Sequence, residues 1–331
     1  MIASRALAAI TLAAAGLLVT SCSVGAGPQS GGTEADYPNA SIEAVVPYDA
    51  GGATDQLART VISGMEPELN GQSVVVLNES GGAGTSGMTS VVNSEPNGYK
   101  LAFIAGGPLT VQPHYGKTSY SYDDVTPIAR IATSPIVLAV RADAPWNTIQ
   151  ELVADLKKNP GSFRYASTGV GNPASIAMEK FDSAAGVDTK QVPFKSSSET
   201  VTALLGKNVD GAAGLPQGFT ASVKSGDLKI LANLGSVKDP SYEKVPTLKE
   251  SGIDASTDLT SGIVGPKGLS NEVVTALADA VQASLKDTKV LERISSSGAV
   301  PDFGTGEEYA ADIKSDFDEN GIVLKELGLI P

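Results

Sequence analysis

From residue 37 onward, short runs of β-branched and aliphatic residues alternate with segments whose apolar positions recur at helical spacing, the pattern of α/β domains built on mostly parallel sheets. Ser41 to Pro47 predicts a first strand. Thr54 is placed to cap a helix whose Leu57, Val61, Ile62 and Met65 share one face. Ser73 to Asn78 predicts a second strand running into the glycine turn Gly81 to Gly84, and Leu101 to Ala105 a third. The cycle resumes with a strand over Ile136 to Val140. Thr148 and Glu151 form a capping box opening a helix that buries Ile149, Leu152, Val153 and Leu156 and stops near Asn159-Pro160-Gly161. Phe163 to Ala166, Val209 to Ala213 and Leu228 to Ala232 read as further strands, and the turn Ser167 to Asn172 leads into a helix through Ile176, Met178 and Phe181. A short strand at Ile263 to Pro266 precedes a helix capped by Ser270, with Val273, Val274, Leu277, Val281 and Leu285 on its inner side.

Each half of the chain thus carries its own strand, glycine turn and helix. Two such lobes facing each other would place a ligand at the carboxyl ends of their strands, where open α/β sheets bind. The loop Val46 to Asp55 joins strand to helix, so its amides point into that crevice. Gly51 and Gly52 allow close approach of the main chain, the helix start favours negative charge, and Tyr48 supplies a flat wall with a polar tip. The same segment is also compatible with a tight connection and a capped helix that bind nothing.

The N-terminus changes the picture of where the protein works. Arg5 is followed by an apolar run from Ala6 to Val19 and by Thr20-Ser21-Cys22, a signal-peptide layout too short to span a bilayer stably. Small residues before the single cysteine are similar to a bacterial lipobox, so residues 1–21 are read as a lipoprotein signal peptide and Cys22 as the lipidated residue, holding the protein outside the cell membrane. Ordinary secretory cleavage is the alternative. Ser23 to Asp36, rich in Gly, Ser and Pro, then serves as a flexible tether. One cysteine allows no internal disulfide.

Charge and residue inventory narrow the chemistry. With 24 basic against 37 acidic residues and a net charge of −13, neither nucleic acid nor an anionic membrane surface is a natural partner. An acidic protein can still hold an anion where backbone N–H groups and hydroxyls are concentrated. Gly82-Ala83-Gly84-Thr85-Ser86-Gly87 and Gly169-Val170-Gly171 with Ala174 formally match dinucleotide fingerprints. The acidic residue that should follow the next strand and hold a ribose is absent from Leu101 to Gly107. His114 is the single histidine and no G-x-S-x-G elbow occurs, which leaves a hydrolase without a base. One His and one processed Cys cannot form the usual metal clusters, Asp123-Asp124 reads as a solvated turn, and Trp146 as a packing residue. No cofactor is expected.

Several motifs in combination resemble the extracytoplasmic receptors of tripartite tricarboxylate transporters, also called the Bug family, from about Tyr37 to the C-terminus. They are VPYDAGGATD at 46–55, VVVLNESGGAG at 74–84, PNGYKL at 96–101, YASTGVGN at 165–172, VPFK at 192–195, VPTLKESG at 245–252 and GPKGLS at 265–270. The resemblance implies a two-lobed, type II-like periplasmic-binding-protein fold that performs no catalysis. Residues 37–134 plus 261–331 would form one lobe and 135–260 the other, with crossings near Thr133 to Ile136 and Leu259 to Gly262.

Carried across, Tyr48, Gly51, Gly52, Thr54 and Asp55 with Gly82, Ala83 and Gly84 would line one side of the ligand, and Ser167, Thr168, Gly169 and Asn172 the other. Lys195 is either a counter-charge or a surface residue ending a strand. Three departures from what the resemblance implies stand out: Glu79-Ser80 replaces a common Arg-Pro, Asn172 and Ser175 replace Ser and His, and Gly214 replaces an acid. Loss of that acid tilts ligand choice toward di- or tricarboxylates and away from amino acids. The implied partners are the large and small integral membrane subunits of a transporter, served by a monomeric receptor. A sensor kinase ectodomain is the alternative recipient.

Overall fold

A computed structural model describes residues 37–331; the predicted signal peptide, Cys22 and the tether lie outside the described residues. The strands are β1 (Ile42–Val46), β2 (Val74–Asn78), β3 (Lys100–Ala105), β4 (Val125–Pro135), β5 (Val137–Arg141), β6 (Arg164–Thr168), β7 (Lys190–Phe194), β8 (Gly211–Gly214), β9 (Leu228–Asn233), β10 (Asp258–Pro266) and β11 (Val300–Thr305). The helices are α1 (Ala53–Met65), α2 (Thr85–Val92), α3 (Gly107–Thr110), α4 (Ile149–Leu156), α5 (Pro173–Ala185), α6 (Ser197–Leu205), α7 (Thr220–Lys224), α8 (Asn271–Ser284), α9 (Thr288–Ser296) and α10 (Gly306–Glu326).

Two sheets result, each with helices against its faces. The first has six strands in the order β11-β4-β10-β3-β1-β2, and the second five, in the order β7-β6-β8-β5-β9. Both are mixed, which corrects the expectation of mostly parallel sheets. β1, β2 and β3 run parallel in the first and β6, β7 and β8 in the second, while β4, β10 and β5 pair antiparallel to their neighbours. The strands that enter a sheet across the joint, β5 in the second and β10 in the first, are the ones that run against the strands connected through helices.

The crossings sit side by side. β4 ends at Pro135 in the first sheet, Ile136 bridges, and β5 opens the second. The return runs through residues 234–257, and Asp258 pairs with Pro135. Leu259 to Gly262 therefore already belongs to the first sheet, and β10 is a nine-residue strand rather than a short one at Ile263. Hydrogen bonds from Leu234 N to Ile136 O (2.7 Å) and from Thr257 N to Leu234 O (2.7 Å) bind the two crossings together.

Helix faces follow the apolar spacing. In α1, Leu57, Ala58, Val61, Ile62 and Met65 are buried in one cluster with Val273, Leu277 and Val281 of α8. A separate cluster in the second lobe gathers Ile149, Leu152 and Leu156 of α4 with Phe163, Met178 and Phe181, and Val153 sits half-buried at its edge. Ser270 caps α8 as expected. Thr148 accepts from Glu151 N, but the Glu151 carboxylate reaches back to Asn147 N (2.6 Å), not to the cap residue's own amide.

The long C-terminal α10 was not among the predicted elements. It opens with a complete capping box between Thr305 and Glu308 and packs on β4 and α3. Its far end reaches the second lobe, where Val323 and Leu324 join Val111 and Ile176 of α5 in a small apolar cluster. Lys180 of α5 pairs with Glu319 beside it. The lobes are thus strapped next to the crossings as well as joined by them.

Gly262, in the middle of β10, leaves no space for a side chain: a Cβ there would fall against the Ala129 carbonyl oxygen and the Tyr309 ring. Overpacking of a well-filled core costs about 1–3 kcal/mol. Gly262→Ala is expected to lower unfolding free energy by that amount in urea denaturation; an unchanged midpoint would show that the strand can shift to make room.

Candidate functional site

Every glycine turn singled out in the sequence lies at the carboxyl end of a parallel strand. β1 leads through Pro47 to Gly52 into α1, β2 through Glu79 to Gly84 into α2, and β6 through Gly169 to Asn172 into α5. In the first lobe, Pro47, Tyr48, Gly52, Thr54, Ala83 and Gly84 wall an open depression of about 570 Å³. In the second, Thr168 and Asn172 lie on a more enclosed cavity of about 160 Å³, which also takes in Ile136 and Leu259 at the crossings. A small recess that shares Pro173 and Leu259 with this cavity is lined also by Gly106, Gly107, Lys180 and Asp316, so the segment after β3 meets the start of α5 there.

The first-lobe loop is held by a buried carboxylate. Asp55 is 3% exposed, and its oxygens accept from Gly51 N (2.8 Å), Arg59 Nε (3.0 Å) and Asn78 Nδ2 (3.0 Å). Asn78 also donates to the Tyr48 carbonyl (3.1 Å), closing the brace. Burial pushes the Asp55 carboxyl up, but the donations from Arg59, Gly51 and Asn78 outweigh it and hold the group below its ordinary range. The Asp55 carboxylate is therefore spent on positioning the loop, and Asp55 is not among the residues lining the depression. Thr54 is half-buried on the depression wall and is not the helix cap: α1 begins at Ala53 with Gly52 as N-cap, because the turn closes early through Gly52 N to Asp49 O. The first amides of α1 have no carbonyl within the helix to receive them.

Tyr48 lies against the first-lobe core, and its hydroxyl donates to Ala105 O (2.6 Å), so the polar tip anchors the loop to β3. Burial and the neighbouring Tyr120 raise its pKa, although the Ala105 hydrogen bond acts the other way. Gly84 has φ +92°, and a Cβ on it would lie 2.6 Å from Pro108, a fit that only glycine meets. Ala83 beside it is exposed at φ 56°, a left-handed conformation costing a non-glycine residue about 1–2 kcal/mol. Gly51 and Gly82 are exposed at the tips of their loops.

The second-lobe loop is locked from inside. Ser167 is fully buried and accepts from Gln191 Nε2 (2.6 Å), which also donates to Gly169 O. Asn172 is the N-cap of α5: its Oδ1 accepts from Ser175 N (2.9 Å) and its amide nitrogen donates to the carbonyls of Thr168 and Gly169. Ser167 and Asn172 therefore shape the loop with their polar atoms already engaged, whereas Thr168 is exposed at the cavity rim and Gly169 is half-buried. Lys195 is exposed and lines neither depression, and its backbone N donates to Glu199 Oε2 (3.0 Å). The surface reading of that residue fits its position.

Sequence reasoning missed the start of α6. Ser197, Thr200 and Val201 wall the cavity together with Gly214, Leu215, Gly218 and Phe219. The signal was present as Ser196-Ser-Ser-Glu199, a capping pattern in which Ser196 accepts from Glu199 N. His114 stacks on Phe317 at 4.0 Å, with Nε2 2.8 Å from the Phe317 carbonyl, and Trp146 packs edge-on to Phe163. Among the described residues, no group of His, Cys, Asp or Glu is arranged to hold a metal ion.

Comparison with known proteins follows this geometry. Residues 57–329 match a family model described as the tripartite tricarboxylate transporter family receptor. A UPF0065 protein of Cupriavidus necator is 30% identical over 320 residues, covering 96% of this chain and 97% of its own. The ligand-free crystal structure of a TctC solute-binding protein from Polaromonas superposes with a TM-score of 0.81 at 32% identity, covering 88% of this chain and 99% of that one. An R. palustris protein solved with adipate gives a TM-score of 0.69 at 25% identity over 88% and 98% of the two chains.

The Asp55 brace has a pH signature. A carboxyl depressed in the folded state adds stability above its unfolded pKa of about 4, and that stability is lost as pH falls through the lower folded value. Asp55→Asn is expected to cost about 1–3 kcal/mol at pH 7 in urea denaturation, because its partners lose a charged acceptor. The gap between variant and parent should narrow below pH 4; a gap independent of pH would mean the carboxylate charge does not hold the loop.

Proposed function

This chain belongs to the tripartite tricarboxylate transporter receptor family, and from that premise we propose that it captures a small organic carboxylate between its two lobes outside the cytoplasm and hands it to the membrane subunits of such a transporter. Family membership makes it a receptor and not an enzyme. In this reading residues 1–21 are removed, Cys22 carries the lipid anchor, and the receptor works as a monomer beside the large and small membrane subunits. Its lipobox-like start and its family support that placement.

One observation carries the ligand assignment. The loops at the carboxyl ends of β1, β2 and β6 are read as facing one cleft; no lysine or arginine is among the residues lining the two depressions, and Lys180 in the adjoining recess is paired with Glu319. An anion entering there must be held by amides and hydroxyls, as at other helix starts and glycine turns. A carboxylate has the size and the acceptor capacity for such a site, and a structural relative was solved with adipate. Gly214 in the cavity wall supplies no acid to meet a ligand ammonium, which speaks against amino acids.

Closure supplies affinity, because only with the lobes together do both loops reach one ligand. Thr54 offers a hydroxyl on the first-lobe wall. Thr54→Val is expected to weaken carboxylate binding about ten- to hundredfold in isothermal titration, the range for one hydrogen bond to a charged group, with the thermal midpoint unchanged. Undiminished affinity would remove Thr54 from the site. If native mass spectrometry of gently purified protein and titration with mono-, di- and tricarboxylates both reveal no bound acid, the receptor reading itself fails.

A further inference from the structure

The two sides of the cleft differ in chemistry. The first-lobe side is an open dish of glycines and main-chain amides with Tyr48, Thr54, Ser80 and the exposed acid Asp49 in its wall. The second-lobe side is a cavity of about 160 Å³ with no ionisable side chain in its wall. Its deep surface is Ile136, Ala174, Ala213 and Phe219, each 5% exposed or less, and Val201, Leu215 and Leu259 complete it nearer the opening.

The polar groups in that wall are largely committed. Asn172 is saturated as the α5 cap, and Thr200 Oγ1 donates to Ser197 O at 2.7 Å. The hydroxyls of Thr168 and Ser197 belong to exposed residues of the wall, Thr168 ending β6 and Ser197 opening α6. Gly214 contributes no side chain, and a Cβ there would meet the Phe219 ring only at ordinary contact distance, 3.6 Å.

We infer that this cavity seats the uncharged body of the ligand, so that the preferred substrate class is a monocarboxylate with a benzene-sized apolar portion, an aryl ring or an unsubstituted alkyl chain. The inference rests on the reading of the cleft as a carboxylate site and specifies what lies at the other end of the molecule. An apolar cavity of about 150 Å³ is large enough to hold benzene. A second carboxylate or a run of hydroxyls placed against Ile136, Ala213 and Phe219 would give up water and find no polar side chain on that deep surface. A hydrocarbon gains by leaving water and leaves nothing unsatisfied. The carboxylate then stays at the mouth, between Thr168 and the glycine loops of the facing lobe. Tricarboxylates, which the sequence alone favoured alongside dicarboxylates, present charge wherever they are turned.

The test is isothermal titration of the full receptor with benzoate, hexanoate, malate and citrate, repeated with Val201→Phe, which fills the cavity from its α6 wall. Benzoate or hexanoate should bind at least tenfold tighter than malate and citrate, and Val201→Phe should weaken the favoured ligand at least tenfold while leaving malate unaffected. If that variant does not fold, Val201→Thr puts a hydroxyl on the same wall at nearly constant volume and should weaken the favoured ligand several-fold. Malate or citrate binding tightest, or a favoured ligand indifferent to the folded variant, overturns the apolar-body assignment and leaves the carboxylate receptor standing. If none of the acids binds, the cleft reading falls and takes this one with it.

Discussion

An anion can enter the interior of a protein of net charge −13 only if oriented dipoles replace the water it gives up. That requirement explains where the loops lie and how they are held. Amides at the starts of α1 and α2 have no helical acceptors, and the turns before them bring the main chain to the surface of the cleft. Such donors are useful only if they do not move. Asp55 fixes Gly51 and Asn78, Tyr48 fixes the loop to β3, and Gln191 with Asn172 fixes the facing turn. Polar side chains of these loops thus spend their hydrogen bonds on the backbone, which in the proposed site is left to face the ligand.

The same economy shapes the joint between the lobes. Two crossing segments lie paired at Pro135 and Asp258, and α10 reaches from the first lobe to α5 of the second. At Gly171, φ is +70° and a Cβ would lie 2.7 Å from the Tyr115 hydroxyl and 3.3 Å from Leu324, so the second-lobe turn presses directly on the first lobe there. Asp316, on α10 in the adjacent recess, is raised to about 7 by burial against the pull of Lys180. A group raised in this way contributes most below its unfolded pKa of about 4 and loses that contribution as pH climbs through about 7.

Much of this was legible in the sequence, and the exceptions have physical reasons. Strands β1, β2, β3 and β6 and helices α1, α4, α5 and α8 followed from apolar spacing and caps, since they bury one face in their own lobe. β4 and the first half of β10 were missed because they cross between lobes and carry Thr, Ser and Gly where a single buried face would be apolar. α10 escaped because its inner face is thin, with Tyr309, Ile313, Val323 and Leu324 spread over six turns of largely charged sequence. For the site, the glycine turns marked in the sequence lie at the carboxyl ends of β1, β2 and β6. Side chains were harder: Asp55, Ser167 and Asn172 look like ligand groups in a motif, and only coordinates reveal that their polar atoms point inward.

The second-lobe cavity could not have been read from the sequence, because Ile136, Val201, Phe219 and Leu259 come from four separate stretches of the chain and each has an ordinary apolar neighbourhood along it. What unites both halves is the claim that neutral main-chain donors hold the carboxylate. A crystal structure of the liganded receptor tests it most directly. The account predicts carboxylate oxygens at hydrogen-bond distance, about 2.7–3.2 Å, from amides of the Gly52–Thr54 and Gly81–Gly84 turns, with no lysine or arginine nitrogen in contact. A carboxylate paired with a cationic side chain, or bound away from those turns, would contradict it.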